Sequence, residues 1–452
     1  MWQTTGMAPS LALEELQAFR MALYGCFRKR ADALFELTDA LLSAGPVSSP
    51  AHLSLEGIHR RRWGSLYAAL VSGQLDRAAL RRLVAQHPLQ DGQPIYAVDV
   101  SVWARCDAET SPGRGYYYHP SRHSAGQPIV AGWAYQWLSQ LSFARDSWTA
   151  PLDVQRVYPT EETNTSAATM VARLAGRLPA DGPTPLFVFD AGYDSRHLAL
   201  DLVGVRAAIL VRLRKDRCFY ADPLPSRRPQ GGRPRRHGAK FAFRDPTTWP
   251  VPSQEHQEED DQYGLVRVRA WSGLHAKPPT HAGSGGSAER PIVRGTVVRV
   301  EVSRLPGHTR KPQVLWLWWS GQGEPDLAFL WRAYVRRFDQ EHTFRLLKGT
   351  LNWTVPRFRH PVQADRWSWL VLAAYTQLRL ARPFVADQRL PWERPLRPGH
   401  LTPYRVRRAV SALLPFLATP ANPPKPCGRS PGRPKGARSG PARRCPALKR
   451  AA

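Results

Sequence analysis

The run Trp331-Arg-Ala-Tyr-Val-Arg-Arg-Phe-Asp-Gln-Glu-His-Thr-Phe-Arg-Leu-Leu-Lys348 reads as one long helix carrying an acid where a core residue is expected. Pro325 and Asp326 supply a start signal, with Asp326 as N-cap, and Gly349 suits the position just past the end. Steps of three and four trace one stripe through Leu327, Leu330, Tyr334, Arg337 or Phe338, Glu341, Arg345 and Lys348. The stripe begins apolar and turns charged, so Glu341 is expected where the buried face meets something other than hydrocarbon. A carboxylate there must be paired, bound to metal or neutralised. An ion-pair ladder of Arg337, Glu341 and Arg345 at four-residue spacing accounts for the same three residues. The rest of the chain has to decide between them.

Working outward, two more acids stand at distinctive places. Ile95-Tyr-Ala-Val-Asp-Val-Ser-Val102 has the composition of a strand, and Asp99 projects from one side of it between Val98 and Val100. Pro185-Leu-Phe-Val-Phe-Asp-Ala-Gly-Tyr-Asp194 reads as a buried strand that ends in Asp190 and a glycine turn, where an acid commonly caps the turn. Further strands are expected at Tyr116–His119, Ile129–Trp137 and Ala207–Leu213, with helices at Thr163–Leu178, Ser195–Leu202 and Val362–Arg382. This alternation predicts a mixed α/β layer architecture. From Cys218 to Pro325 the pattern changes. An arginine-rich loop (231–236), an acidic run (Glu258–Asp261) and a Gly/Ser patch (283–287) accompany strand-like runs at Leu265–Trp271, Ile292–Val302 and Val314–Trp319, the last of which suits the main sheet.

Residues 10–90 look helical. Leu11–Leu42 is expected as one amphipathic stretch closed by Gly45-Pro46, followed by helices over Ile58–Ser72 and Asp76–His87. Arg60, Arg61, Arg62, Arg77, Arg81 and Arg82 crowd the latter pair, which suits either a DNA-reading unit or a bundle with a solvated basic face. Past Pro420 the chain is rich in Pro, Gly and Arg without an acid, and disorder is expected there. Gly432–Lys435 resembles the core of a minor-groove hook, although such tetrapeptides also arise as generic phosphate-binding segments. The chain accordingly divides into a helical N-terminal domain (1–90), a first core part (91–217), a β-rich insertion (218–325), C-terminal core helices (326–385), an extension (386–419) and a basic tail (420–452).

A net charge of +28, mostly from arginine, points to a polyanionic partner, with nucleic acid first and an anionic membrane surface second. No apolar run approaches the roughly 20 residues of a spanning helix, and no secretory signal pattern opens the chain. Five scattered cysteines without a C-x-x-C pair argue against a zinc ribbon or disulfide framework and fit a reducing cytosol. Carboxylates from separate elements are the ligands hard cations such as Mg²⁺ take, and they can clamp two ions about 4 Å apart.

With these residues in view, the chain resembles the DDE transposases of bacterial insertion sequences, whose catalytic core is RNase H-like. The subgroup it is similar to carries a Tyr-x2-Arg-x3-Glu-x6-Lys signature, matched here by Tyr334, Arg337, Glu341 and Lys348. Asp190-Ala-Gly-Tyr193 resembles the motif around that subgroup's second acid, and Asp99 matches the first-strand acid. The family's β-rich insertion before the third acid has its counterpart in Cys218–Pro325. The resemblance covers roughly residues 90–385. It implies that Asp99, Asp190 and Glu341 are catalytic and hold two Mg²⁺ ions, with Mn²⁺ as a substitute. It implies further that Tyr334, Arg337 and Lys348 contact DNA phosphates. Arg345, on the same stripe, is an additional phosphate candidate, while Asp194 and Glu161 are alternative ligands. A tryptophan that stacks on a flipped base in some relatives has no evident equivalent near Asp190, where Tyr193 is the nearby aromatic. The implied activity is cleavage of double-stranded DNA at terminal inverted repeats followed by strand transfer into target DNA, by a homodimer in a synaptic complex at the bacterial nucleoid. The competing readings are an RNase H-like nuclease without strand transfer and an inactive DNA-binding relative.

Overall fold

The structure, a computed structural model, describes residues 9–45, 49–89, 94–119, 128–224, 235–278, 291–306, 313–397, 399–426, 428, 432, 434–438 and 440–449. Residues 231–234 of the arginine-rich loop, the Gly/Ser patch at 283–287, Pro46 and Arg433 lie outside them. The chain divides into two compact units, one of Met1–Asp91, Val100–Glu162 and Asp339–Ala452, the other of Gly92–Asp99 and Thr163–Phe338.

In the first unit the N-terminal leucine-rich run does not form one helix. Helix α1 (Pro9–Gly25) stops at its glycine, β1 (Phe27–Lys29) intervenes, and α2 (Ala31–Ser43) follows. The turn is made by Arg30 in the left-handed region at φ 60°. What fixes the break is pairing: β1 lies antiparallel to β2 (Gln74–Leu75), and the Asp76 N–H donates to the Cys26 carbonyl at 2.8 Å. Short α3 (Pro50–Leu53), α4 (Trp63–Ser72) and α5 (Arg77–Ala85) complete the region, with Asp76 capping α5 through the Ala79 N–H.

Most arginines of this region have internal partners. Arg60 and Arg61 both reach the buried Glu36 and the Ala421–Asn422 carbonyls, Arg81 pairs with Asp153 at 2.7 Å and Arg77 with Asp365 at 3.7 Å. Arg62 and Arg82 are exposed. Arg20 forks onto Asp39 at 2.7 and 2.8 Å, both side chains being buried, and also donates to Gln377. A buried pair of this kind is costly to break because the survivor is left charged and unpartnered.

Strand β3 (Ile95–Ala104) contributes Val100–Ala104 to this unit and its earlier residues to the other. Here β4 (Gly115–Tyr118) and β6 (Ala150–Val157) flank β5 (Ile129–Gln140), both antiparallel to it. β6 carries no strict alternation in the sequence and escaped the reading. Val100, Val102 and Ala104 pack on Tyr117, Val130, Ala134 and Val157. On the opposite side of β3, Trp103 meets Trp133, Tyr135, Trp353 and Phe358. The two strands come so close at Gly132 that a Cβ there would lie 2.3 Å from the Trp103 carbonyl oxygen, so only glycine fits.

The second unit holds the parallel part of the sheet. Helix α6 (Thr163–Ala175) leads to β7 (Leu186–Phe189), then α7 (Ser195–Asp201) and β8 (Ala208–Leu213). Ile95–Val98 of β3 pair in parallel with Leu186–Phe189, which pair in parallel with Ala208–Val211. The chain then builds β9 (Cys218–Tyr220), β10 (Lys240–Ala242), β11 (Gln254–Asp260), β12 (Gly264–His275), β13 (Arg294–Val302) and β14 (Gln313–Ser320). These pair antiparallel, and β14 joins β8 with Trp318 opposite Val211. Phe241, Trp249, Trp271 and Trp316 fill the interior of this antiparallel part, with Phe243 stacked 4.3 Å from Trp316.

Beyond β14, α8 (Leu327–Arg336) belongs to the second unit and α9 (Phe338–Gly349) almost wholly to the first, where α10 (Pro361–Ala381) and α11 (Pro403–Ala409) follow. Antiparallel β5 and β6, then β3, β7 and β8 in parallel with helices between them, is the strand order of an RNase H-like mixed α/β fold. The tail is anchored at its far end: Cys445 and Leu448 donate backbone N–H groups to the Glu109 and Arg114 carbonyls, each at 2.7 Å.

Candidate active site

Adjacent parallel strands place Asp99 and Asp190 together. Val98 is in register with Phe189, so Asp99 and Asp190 are the next residues along neighbouring strands and point to the same face. Phe189 is in register with Val211, which extends the row to Arg212 on β8. Two carboxylates and a guanidinium thus form one row, from the middle of β3 to the carboxyl ends of β7 and β8, and strand carboxyl ends are where open α/β sheets bind ligands. The Asp190 side chain is oriented by the Gly192 N–H, which donates to its Oδ1 at 2.9 Å. A Cβ at 192 would sit 3.0 Å from that oxygen, so the glycine allows the backbone this approach.

Helix α8 adds two further groups. Asp326 caps it through the Phe329 N–H at 3.0 Å, and Glu258 of β11 holds the next turn by accepting from Trp331 Nε1 at 2.6 Å and from Arg332. Arg337, at its C-terminal end, donates from Nη1 to Asp99 Oδ2 at 3.0 Å, with both side chains mostly buried. The same guanidinium lies 5.9 Å from the Tyr334 ring centre. Burial pushes the Tyr334 hydroxyl above its ordinary pKa; the positive charges of Arg337 and Arg212 pull it back, and Asp190 adds to the rise.

The single long helix expected here is interrupted. At Arg337 the backbone hydrogen bond tightens to Tyr334, the residue three back, and α9 starts at Phe338. The inward stripe shifts with it. In α9 the buried residues are Asp339, Gln340, Thr343, Phe344, Leu346 and Leu347, whereas Glu341 and Arg345 are exposed and Lys348 is half-buried. Within the first unit, Thr343 hydrogen-bonds Thr149 at 2.8 Å and Phe344 packs edge-on against Trp137, so the apolar face is used by those residues and Glu341 points away from it. The burial expected for Glu341 is therefore corrected to exposure, and Arg337 is engaged by Asp99.

Asp194 is occupied structurally. It caps α7 by accepting from the Arg196 and His197 N–H groups at 2.9 and 3.0 Å. Glu161 accepts from the Tyr158 N–H at 3.1 Å in a turn. Tyr193 is buried edge-on against Phe189 and offers no exposed stacking face. Arg212 was missed by the sequence reading, because a strand-end arginine in so basic a chain is unremarkable until the register is known.

Asp99 and Asp190 have the donor chemistry of a site for a hard divalent cation. Among the described residues, no group of three or more His, Cys, Asp or Glu side chains gathers closely enough to hold a metal ion.

Residues 22–277 match the family model for DDE superfamily endonucleases, a span of more than half the chain that contains Asp99 and Asp190 and ends before Glu341. The chain belongs to that family, and its activity is of the endonuclease class acting on DNA. No curated protein matches it. No helix among the described residues is long and apolar enough to cross a membrane.

Proposed function

We propose that the chain is the transposase of a mobile DNA element, cutting phosphodiesters at the element's terminal inverted repeats and joining the freed 3′-hydroxyls to target DNA. The observation that carries this reading is the side-by-side placement of Asp99 and Asp190, with Arg337 and Tyr334 of the Tyr-Arg-Glu-Lys signature beside them. Asp99 and Asp190 would supply oxygen ligands for Mg²⁺, which Mn²⁺ can replace; Glu341 enters as a third ligand from the signature alone. When bound, such ions activate the attacking oxygen and stabilise the leaving 3′-oxygen.

The remaining groups orient the substrate. Arg337, buried beside Tyr334, holds the Asp99 carboxylate, and the signature assigns both residues to a phosphate of the DNA end; Arg345, exposed on α9, and Lys348, half-buried there, supply further phosphate contacts. Both ends of an element must be cut in concert, which calls for a homodimer on paired ends of double-stranded DNA.

The family assignment alone is satisfied by an endonuclease that cuts without joining, so the test must score both steps. Purified protein is incubated with labelled end-sequence duplex, a supercoiled target plasmid and Mg²⁺ or Mn²⁺. Wild type is expected to give nicked ends and end–target joints. Asp190→Asn and Glu341→Gln are expected to bind the same duplex and give neither product. Cleavage without any joined product supports the nuclease reading, and wild-type behaviour of both variants defeats the catalytic assignment.

A further inference from the structure

The first unit carries an aromatic surface that the cleavage site does not use. β4 is short and alternates strictly: Tyr117 is buried, whereas Tyr116 is 47% and Tyr118 73% exposed. Because they are two residues apart on a strand, their side chains leave from one face about 7 Å apart. Tyr118 is paired with Ile129 of β5, itself 56% exposed, so the apolar patch continues across the hairpin.

The open edge of β4 is met by the tail. Leu448 forms a parallel bridge to Gly115, Arg114 donates from Nη2 to the Cys445 carbonyl at 2.7 Å, and Arg444 pairs with Glu109 at 3.2 Å. The parallel direction carries Lys449 alongside Tyr116. Arg443, Arg444 and Lys449 are exposed there, and no acidic residue occurs from Pro420 onward.

We propose that Tyr116 and Tyr118, with the basic strap 443–449 docked beside them, form an accessory binding surface for unpaired DNA. Aromatic faces standing out from a strand take bases by stacking, and cations beside them follow the phosphates. A duplex cannot use the rings, because its bases are already stacked on one another. The positive charge of the strap is what favours nucleic acid over a second copy of this chain, whose own surface carries the same excess. The inference rests on the DNA-acting reading but on a different surface and a different form of DNA.

The test uses the full chain and fluorescence anisotropy with a labelled oligothymidylate and a duplex of equal length. The double variant Tyr116→Ala, Tyr118→Ala is expected to weaken single-strand binding about tenfold or more, with duplex binding unchanged. Tyr116→Phe with Tyr118→Phe, which keeps the rings, is expected to bind as wild type. Arg444→Gln with Lys449→Gln is expected to weaken single-strand binding and to reduce its salt dependence. Equal loss on duplex and single strand, no loss on either, or a change only in oligomeric state by light scattering overturns the proposal. End cleavage is scored in parallel: cleavage intact with the single-strand prediction failed defeats this inference alone, whereas a wild-type chain that never cuts defeats the transposase reading instead.

Discussion

Arg337 bears on Asp99 in two ways. It neutralises a mostly buried carboxylate, and its Nη1 hydrogen bond to Oδ2 fixes the direction of that oxygen. Arg337→Ala is expected to lower kcat/KM for end cleavage about a hundredfold, and Arg337→Lys to recover only part, since an ammonium keeps the charge but not the planar guanidinium's geometry. Unchanged cleavage by Arg337→Ala would make the contact a packing detail. Arg212 stands at the end of the same row yet is exposed. Arg212→Ala is therefore expected to raise KM for end DNA with kcat little altered, the pattern of lost ground-state binding. In the β-rich part of the second unit, His237 Nδ1 and His275 Nε2 lie 2.9 Å apart. Burial lowers both pKa values; Lys277 and Arg236 add to this at His237, while His237, Arg294 and Arg236 add to it at His275, opposed by Asp222. Both rings are thus held neutral in the fold, while the unfolded chain takes up protons below about pH 6.5. Stability from this pair is present above that pH and declines as pH falls through and below it. Melting curves between pH 7.5 and 5 are expected to show a drop that His237→Gln reduces; an identical slope in the variant removes the pair from the account.

Elements were legible where one periodicity ran uninterrupted. β3, β7, β8 and the strands around Val268, Val298 and Leu317 are dense in Val, Ile, Leu and aromatic residues, and a buried strand needs little else to announce itself. Asp99 and Asp190 were legible for the same reason, being acids inside or at the end of apolar runs. What failed were boundaries set by partners distant in sequence. Nothing local to Cys26–Arg30 beyond Gly25 shows that β2 will pair there, and nothing in the Tyr334–Glu341 spacing shows that the hydrogen-bond pattern tightens at Arg337. With that interruption the buried stripe moves onto Gln340, Thr343 and Leu347, and Glu341 comes to the surface. The acidic run at Glu258 carries no strand signature of its own, yet Glu258–Asp260 close strand β11, and Glu258 anchors α8 through Trp331 and Arg332. α8 is short, carries Tyr334 and is capped at its C-terminus by Arg337, so its start matters for its end. Asp326→Ala removes the cap on the Phe329 N–H and is expected to cost about 1 kcal/mol of stability. Cleavage is expected to fall further than this loss of folded protein explains, because fraying of α8 displaces Arg337. A melt shifted with cleavage unaffected would separate the cap from the site.

At the scale of the molecule, the charge of +28 overstates the surface available to DNA. A sizeable share of the arginines is internal. Arg20, Arg105, Arg114, Arg156 and Arg407 are buried on carboxylates or backbone carbonyls, and burial pushes Arg379 and Arg407 down to about 10, still protonated at neutral pH. These residues act in the fold and release no counterions when DNA binds. The salt dependence of duplex binding should accordingly report only the cations that reach phosphates, since the logarithm of the affinity falls with the logarithm of salt at about 0.9 per phosphate neutralised. Arg345 is exposed on α9 and Lys348 half-buried. Arg345→Ala and Lys348→Ala are each expected to reduce the slope by about one and to weaken binding uniformly across sequences. Arg60→Ala, by contrast, is expected to leave the slope unchanged while lowering the melting temperature, because its guanidinium is engaged with Glu36 and the Ala421 carbonyl. Titrations at several salt concentrations on one end duplex distinguish these outcomes. A slope that Arg60→Ala lowers as much as Lys348→Ala does would mean that the N-terminal arginines leave their internal partners to meet DNA.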